Sequence, residues 1–220
     1  MRERRSVCEL KIGDVVRHRE LLNIHGHPVQ MPDTARLTHL QFRRYAGCPA
    51  CNLHLRSIAR RHDDIRAAGI QEVVVFHSHR ETMLEFQGEL PFAVIADPDK
   101  KLYAEFGVGK MSPLSAFDPR SWRAVYRALT RSPDLRGAMG KGEEHMGLPA
   151  DFLIGSDGVI LAAKYGAYVD DHWSADDLLA LRTPTSTSRP RTRREWLRVG
   201  SLSELVAEYP DDPAPRRPTK

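Results

Sequence analysis

The sequence predicts an α/β protein with a mixed β-sheet flanked by helices, a helical and loop insertion, and a C-terminal extension. Three observations carry this. The β-branched run EVVVF at 72–76 reads as a buried parallel strand, and FAVIA at 92–96 as a second strand beside it. Helical stretches alternate with these strands, which is the pattern of a parallel sheet with crossover helices. Finally, DFLI at 151–154 and VILAA at 159–163 flank Asp157-Gly158, a strong hairpin signal, so the last two strands run antiparallel.

Each element follows in order. Residues 1–36 are polar and punctuated by Gly26 and Pro28, which predicts a short hairpin or loop leading into the core. LTHLQF at 37–42 reads as a strand. Residues 49–68 read as one helix stopped by Gly69 in a left-handed cap position. Residues 80–87 are helical, and 99–106 form a helix closed by Gly107. Between 119 and 130 the spacing of Trp122, Val125, Tyr126 and Leu129 is helical, and Gly137, Gly140, Gly142 and Gly147 then point to a mobile loop. Residues 174–181 form a closing helix with Ser174 as N-cap and Asp176 and Asp177 in its first turn.

A chain of 220 residues suits one domain with extensions, here 1–182, and 41% hydrophobic residues suffice for a real core. The tail, 183–220, holds six of the fifteen prolines. It reads as a linker over 183–192, a short helix over 195–208 that docks on the body or across a homodimer, and disorder over 211–220. The tail also carries eight Lys/Arg against five acids, so +3 of the net charge of +4 resides there and the body is nearly neutral. A nucleic-acid binder carries its basic footprint on a folded face, so nucleic acid is not an expected partner. The longest apolar runs are about five residues where a membrane span needs roughly 20, so no membrane partner is expected. The N-terminal MRERRSVCELKIGD has no apolar core behind its basic residues and does not read as a secretory signal; the expected location is the cytoplasm.

Chemistry concentrates at Cys48-Pro49-Ala50-Cys51. The chain has only three cysteines, the third being Cys8, which excludes a disulfide framework and reads as redox or metal chemistry in a reducing compartment. The pair follows a strand and opens a helix. With Cys48 as N-cap, Pro49 takes the first helical position, where its missing N–H costs nothing. The free N–H groups of the first turn then face the Cys48 sulfur and favour the thiolate, the species that attacks a disulfide or peroxide. Cys51 shares the core-facing stripe of Leu55, Ile58 and Ile65. Cys48 is therefore expected to be the more exposed, attacking thiol and Cys51 the sheltered, resolving one.

Two other readings stand beside this one. Cys48, Cys51 and His54 recur every three residues and, with His77 or His79, could hold a metal, but no second cysteine pair completes a closed site, so no metal is expected. A non-catalytic module would keep the fold and bind protein through the face around Pro149 and the tail. His77-Ser78-His79 follows a strand whose carboxyl end should line the site, and His77 is a candidate there. His62, on an apolar helix face, reads as a satisfied core histidine. Asp151 either accepts a proton near the site or ends a turn. Leu148-Pro149, just before DFLI, is unusual at a strand entrance and marks a special backbone geometry.

The segments LQFRRYAGCPACNLHLRS, VVVFHS, LPFAVIADPDKKLYAEFGV, GLPADFLIGSDGVI and KYGAYVDDHWSADDLLAL together resemble the peroxiredoxin-like proteins. These form the alkyl hydroperoxide reductase and thiol-specific antioxidant branch of the thioredoxin superfamily. The resemblance spans about residues 12–182. It implies a thioredoxin-like fold, thiol–disulfide or peroxide chemistry without a bound cofactor, and re-reduction by a thioredoxin-type or small-thiol reductant. It matches Cys48 and Cys51 to the redox cysteines and Pro149 to a cis-proline packed against them, with the Leu148 backbone turned to substrate. The chain departs from the family where a Thr/Ser usually stands three residues before the peroxidatic cysteine: counting from Cys48 that place is Tyr45, and counting from Cys51 it is Cys48 itself. Motif alignment favours Cys51 as the peroxidatic residue, whereas helix-cap chemistry favours Cys48, and Cys48 is the expected attacking residue. The arginine that polarises peroxide is not evident beside DFLI, and Arg43 or Arg44 is the expected substitute.

Overall fold

The structure, a computed structural model, describes residues 9–110, 119–131 and 147–182. It opens on a hairpin of β1 (Arg19–Leu22) and β2 (Pro28–Met31) around Gly26, whose φ of 84° only glycine adopts readily. A five-stranded sheet follows. Its central strand is β3 (Leu37–Phe42), paired in parallel with β4 (Ile70–Phe76), which is itself parallel to β5 (Ala93–Ala96). On the other side β3 pairs antiparallel with β6 (Ala150–Ile154), and β6 with β7 (Ile160–Tyr165). The order is β5-β4-β3-β6-β7, the mixed sheet that strand alternation and the Asp157-Gly158 turn predict.

Helices α1 (Pro49–Arg60), α2 (His62–Ala67), α3 (Arg80–Gln87), α4 (Lys101–Glu105), α5 (Pro119–Arg131) and α6 (Ala175–Leu181) connect and cover it. Ser174 closes a capping box with Asp177 at the start of α6. The single helix expected over 49–68 is two, broken at Arg61 (φ −108°, ψ 12°), because Asp63 and Asp64 start a fresh first turn. On α5, Trp122 and Tyr126 are exposed, so the helical spacing is right but these two aromatics are not core.

The core lies on both faces of the sheet. Leu40, Phe42, Val73, Val75, Phe106 and Phe152 fill one face. The other meets α1, α2 and α6 through Ile58, Ile65, Leu153, Ala175 and Leu178. No helix among the described residues is long and apolar enough to cross a membrane. The expected loop over 132–146, the tail elements over 183–220, and Cys8 lie outside the described residues.

Candidate active site

β3 leaves the sheet at Phe42, and the five residues that follow are pinned from several sides. Arg43 N–H donates to Val75 O at 2.9 Å, one rung beyond the strand. Ala46 N–H donates to Ser78 Oγ at 2.8 Å, and Gln87 Nε2 donates to Ala46 O at 2.6 Å. Cys48 N–H closes a turn onto Tyr45 O at 3.0 Å. Cys48 is then the N-cap of α1 in extended geometry, Pro49 is its first residue, and Cys48 O receives the first helical bond from Asn52 N–H.

Cys48 and Cys51 are both free thiols and both buried, 1% and 3% exposed. The expected difference in exposure is therefore corrected. Both belong to one buried cluster that also holds Tyr45, Ala46, Leu55, Val74 and Phe76. The two thiols differ in charge instead. Cys51 S–H donates to the Cys48 sulfur, and that bond leads the forces that bring Cys48 down to about 6 against the opposing cost of burial. Arg44 adds its charge, with Nη1 3.7 Å from Cys48 Sγ, and the N–H groups of Cys51 and Ala50 add more, although neither closes a regular cap bond. Burial, and then the bond and charge of Cys48, push the Cys51 thiol up.

Of the two candidate arginines, Arg44 stands at the thiols and Arg43 does not. The side chains of β3 alternate, so His39, Gln41 and Arg43 share one face, beneath α1. There Arg43 Nη2 meets Asp151 Oδ1 at 2.6 Å, Gln41 Oε1 at 2.5 Å and His54 Nε2 at 3.1 Å. Gln41 donates on to Glu72, and Glu72 lies 2.9 Å from His39 Nδ1. His39 Nε2 returns to Asp151 Oδ1 at 3.3 Å, near enough for ion pairing though not an aligned hydrogen bond. The result is a closed ring of two cations, two carboxylates and one amide, inside the protein. Burial disfavours the His39 imidazolium, but Glu72 and Asp151 outweigh it and push the group up to about 9. Burial likewise opposes charge on Asp151, yet Arg43 and His39 hold its carboxyl well below the usual range.

Asp151 thus neither ends a turn nor serves the thiols. His54 is occupied as well: it stacks on His172 with ring centroids 3.6 Å apart, and burial drives both imidazoles well below their ordinary value, His172 to about 3. His54 Nε2 faces the Arg43 guanidinium at 3.1 Å rather than a third ligand beside the thiols, and His79 lies exposed as the N-cap of α3. Among the described residues no group of three or more His, Cys, Asp or Glu is placed to hold a metal.

His77 is buried and its ring packs edge-on against Tyr103 at 5.7 Å. A Cβ on Gly147 would lie 3.5 Å from His77 Nε2 and 3.9 Å from Arg44 Cγ, which makes Gly147 the neighbour of both. The expected cis bond at Leu148-Pro149 is corrected, since among the described residues the cis peptide is Met31-Pro32. The chain enters β6 extended, with Gly147 bridged to Lys110 and Leu148 N–H bonded to Gly109 O at 3.4 Å, so no reversal is required. Pro149 seats on Gly166, whose N–H donates to Pro149 O at 2.9 Å. His62, expected to be satisfied, is half-buried with Nδ1 lacking a hydrogen-bond partner among the described residues.

A mixed sheet of this order, with two thiols where the central strand passes into its first long helix, is a thioredoxin-like fold, and solved structures share it. Peroxidoxin BcpB from Mycobacterium tuberculosis is 18% identical over 79% of this chain and 97% of its own, with a TM-score of 0.57. Peroxiredoxin Q from Xanthomonas campestris is 17% identical over 74% of this chain and 89% of its own, with a TM-score of 0.54. A protein from Chlorobium tepidum provisionally assigned as a thiol:disulfide interchange protein, DsbE, is 19% identical over 80% of this chain and all of its own, at 0.51. No curated protein matches the sequence. The chain belongs to the AhpC/TSA antioxidant enzyme family, whose model matches residues 57–167. That match begins six residues past Cys51, so it defines the class, thiol-dependent oxidoreductases, without touching the cysteine pair.

Proposed function

We propose that the protein is a thiol-dependent peroxidase in which Cys48 attacks and Cys51 resolves. The observation that carries this is the Cys48 sulfur, held at a helix start between the Cys51 thiol and Arg44 and brought down to about 6, so that it is largely thiolate at neutral pH. The Cys48 thiolate attacks one oxygen of a hydroperoxide. The O–O bond breaks, the leaving oxygen departs as an alcohol or water after taking a proton, and Cys48 becomes a sulfenic acid. The Cys51 sulfur then attacks the Cys48 sulfur, and its proton leaves with the hydroxyl as water. The Cys48–Cys51 disulfide that remains needs two electrons from a thioredoxin-type or small-thiol reductant. No bound cofactor enters this cycle.

Arg44 is the cation that would polarise the peroxide, with His77 and the Gly147 backbone beside it. Pro49 contributes by presetting the first turn of α1, and Leu148 and Pro149 line the route into β6. Arg43 supports the site from behind. The near-complete burial of both sulfurs favours a small peroxide over a protein disulfide as oxidant. A reducing compartment such as the cytoplasm suits a pair that must be re-reduced. The test is stopped-flow consumption of hydrogen peroxide. Cys48→Ser should abolish it, whereas Cys51→Ser should keep the first turnover and lose the cycle. Rapid first turnover in Cys48→Ser would reverse the roles.

A further inference from the structure

Where β3 ends, the peptide joining Arg43 to Arg44 is held from both faces of the sheet. On the α1 face the Arg43 side chain is locked into the buried ring. On the other face the hydroxyl of Tyr103, from α4, donates to Arg43 O and lies 3.0 Å from Val75 O. Val75 O already accepts the Arg43 N–H, so the hydroxyl takes the place of the next rung of the β3–β4 ladder where β3 turns away. Tyr103 is 5% exposed and packs at 5.0 Å against Phe42 and at 5.7 Å against His77, so its ring cannot follow a shifting carbonyl. One peptide further on, Arg44 reaches Cys48 Sγ.

We propose that Tyr103 is a positioning residue of the redox site: by fixing the Arg43–Arg44 peptide it holds the Arg44 guanidinium against the Cys48 sulfur. This rests on the reading of Cys48 as the attacking thiolate. Tyr103 touches neither peroxide nor a reacting bond, and its hydroxyl keeps its proton, because burial first and then the charge of Cys51 push that group well up. The charged and titratable groups around Cys48 are Cys51 on α1, Arg44 after β3, and His77 after β4, placed beside Arg44 by their shared contact with Gly147. Of these, Arg44 is the one attached to the peptide that Tyr103 binds.

The experiment is site-resolved alkylation of the full chain across pH, read by peptide mass so that Cys8, Cys48 and Cys51 are separated. Tyr103→Phe keeps the ring and removes the donor. It should raise the Cys48 midpoint by about one pH unit and slow labelling at low pH by up to about tenfold. 4-Methylphenylalanine at the same position fills the hydroxyl's space without its proton and should give the same shift, which serves where the Phe variant leaves a void. In an Arg44→Gln background, Tyr103→Phe should produce no further shift. An unchanged midpoint in a folded Tyr103 variant, or a full shift without Arg44, overturns the proposal even if the melting temperature falls. A wild-type midpoint at the ordinary thiol value instead refutes the reading of Cys48 on which the proposal rests.

Discussion

His39 makes the buried ring measurable. It is held as an imidazolium between Glu72 and Asp151, with a folded value of about 9 against 6.5 for the free group. A group whose folded value is raised stabilises the fold fully below its unfolded value, and that stability is lost as pH rises through the folded one. The window is therefore 6.5 to about 9, and the whole effect is about 3 kcal/mol. Cys48 titrates in the same range with the opposite sign, because its lowered value adds stability as pH rises. Cys48→Ser removes that opposing contribution. His54 and His172, buried neutral, cost stability only below their ordinary value, so a start at pH 7 leaves them nearly silent. Cys51, pushed up by burial, costs stability with the same sign as His39 only near and above its ordinary value of 9.0, so the range stops short of it. Urea unfolding of Cys48→Ser should then lose about 2 kcal/mol between pH 7 and 8.5. Adding His39→Gln should remove that slope. A flat profile in Cys48→Ser, or the same slope with His39→Gln added, refutes the ring's charge assignment.

Other expectations follow from single contacts. Arg43→Met leaves the buried ring with two carboxylates against the single cation of His39 and should cost about 3–5 kcal/mol in urea unfolding. Arg44→Gln should cost far less stability but move the Cys48 alkylation midpoint upward. Gly166→Ala should destabilise by more than about 2 kcal/mol, since a Cβ there would lie 2.6 Å from Asp171 O and 2.7 Å from Pro149 Cγ, and the backbone around it has little room to give. Ser174→Ala should cost about 1 kcal/mol through the lost capping box, seen as a lower thermal midpoint.

Much of the fold is legible because each element's period agrees with its place. Val73, Val74 and Val75 carry no alternation because β4 is covered on both faces, and Gly69, Gly107 and Gly158 all take the positive φ that a cap or hairpin turn requires. The helix break at Arg61 was written in Asp63 and Asp64, an acidic first turn inside an otherwise continuous apolar stripe.

The site is legible only in part. Cys-x-x-Cys after a strand marks the N-cap, since that depends on neighbours in sequence. What covers the sulfurs depends on partners distant in sequence, Val74 and Phe76 from β4 among them, and local pattern carries no trace of them. The alternation His39, Gln41, Arg43 against Leu40 and Phe42 describes a half-solvated strand equally well. It becomes a buried ring only because Glu72 pairs in register with His39 and Asp151 with Gln41. Tyr103 had a faint signal, a phenol beside Leu102 on the buried side of α4, where a hydroxyl needs a partner. At 147–149 the contact to the site is made by Gly147 rather than by the proline, and a Cβ there would meet His77 and Arg44 only at ordinary van der Waals distance, so nothing in the local sequence marks the position.

In the proposed cycle Cys48 and Cys51 form one redox couple with Cys48 as the attacking thiol. The most direct measurement is non-reducing peptide mapping of the full chain after one equivalent of hydrogen peroxide, with dimedone present to trap sulfenic acid. The wild type should give a Cys48–Cys51 disulfide, and Cys51→Ser a dimedone adduct on Cys48. A bond from Cys8 to either residue, or an adduct on Cys51 in Cys48→Ser as fast as the wild-type disulfide forms, contradicts that assignment.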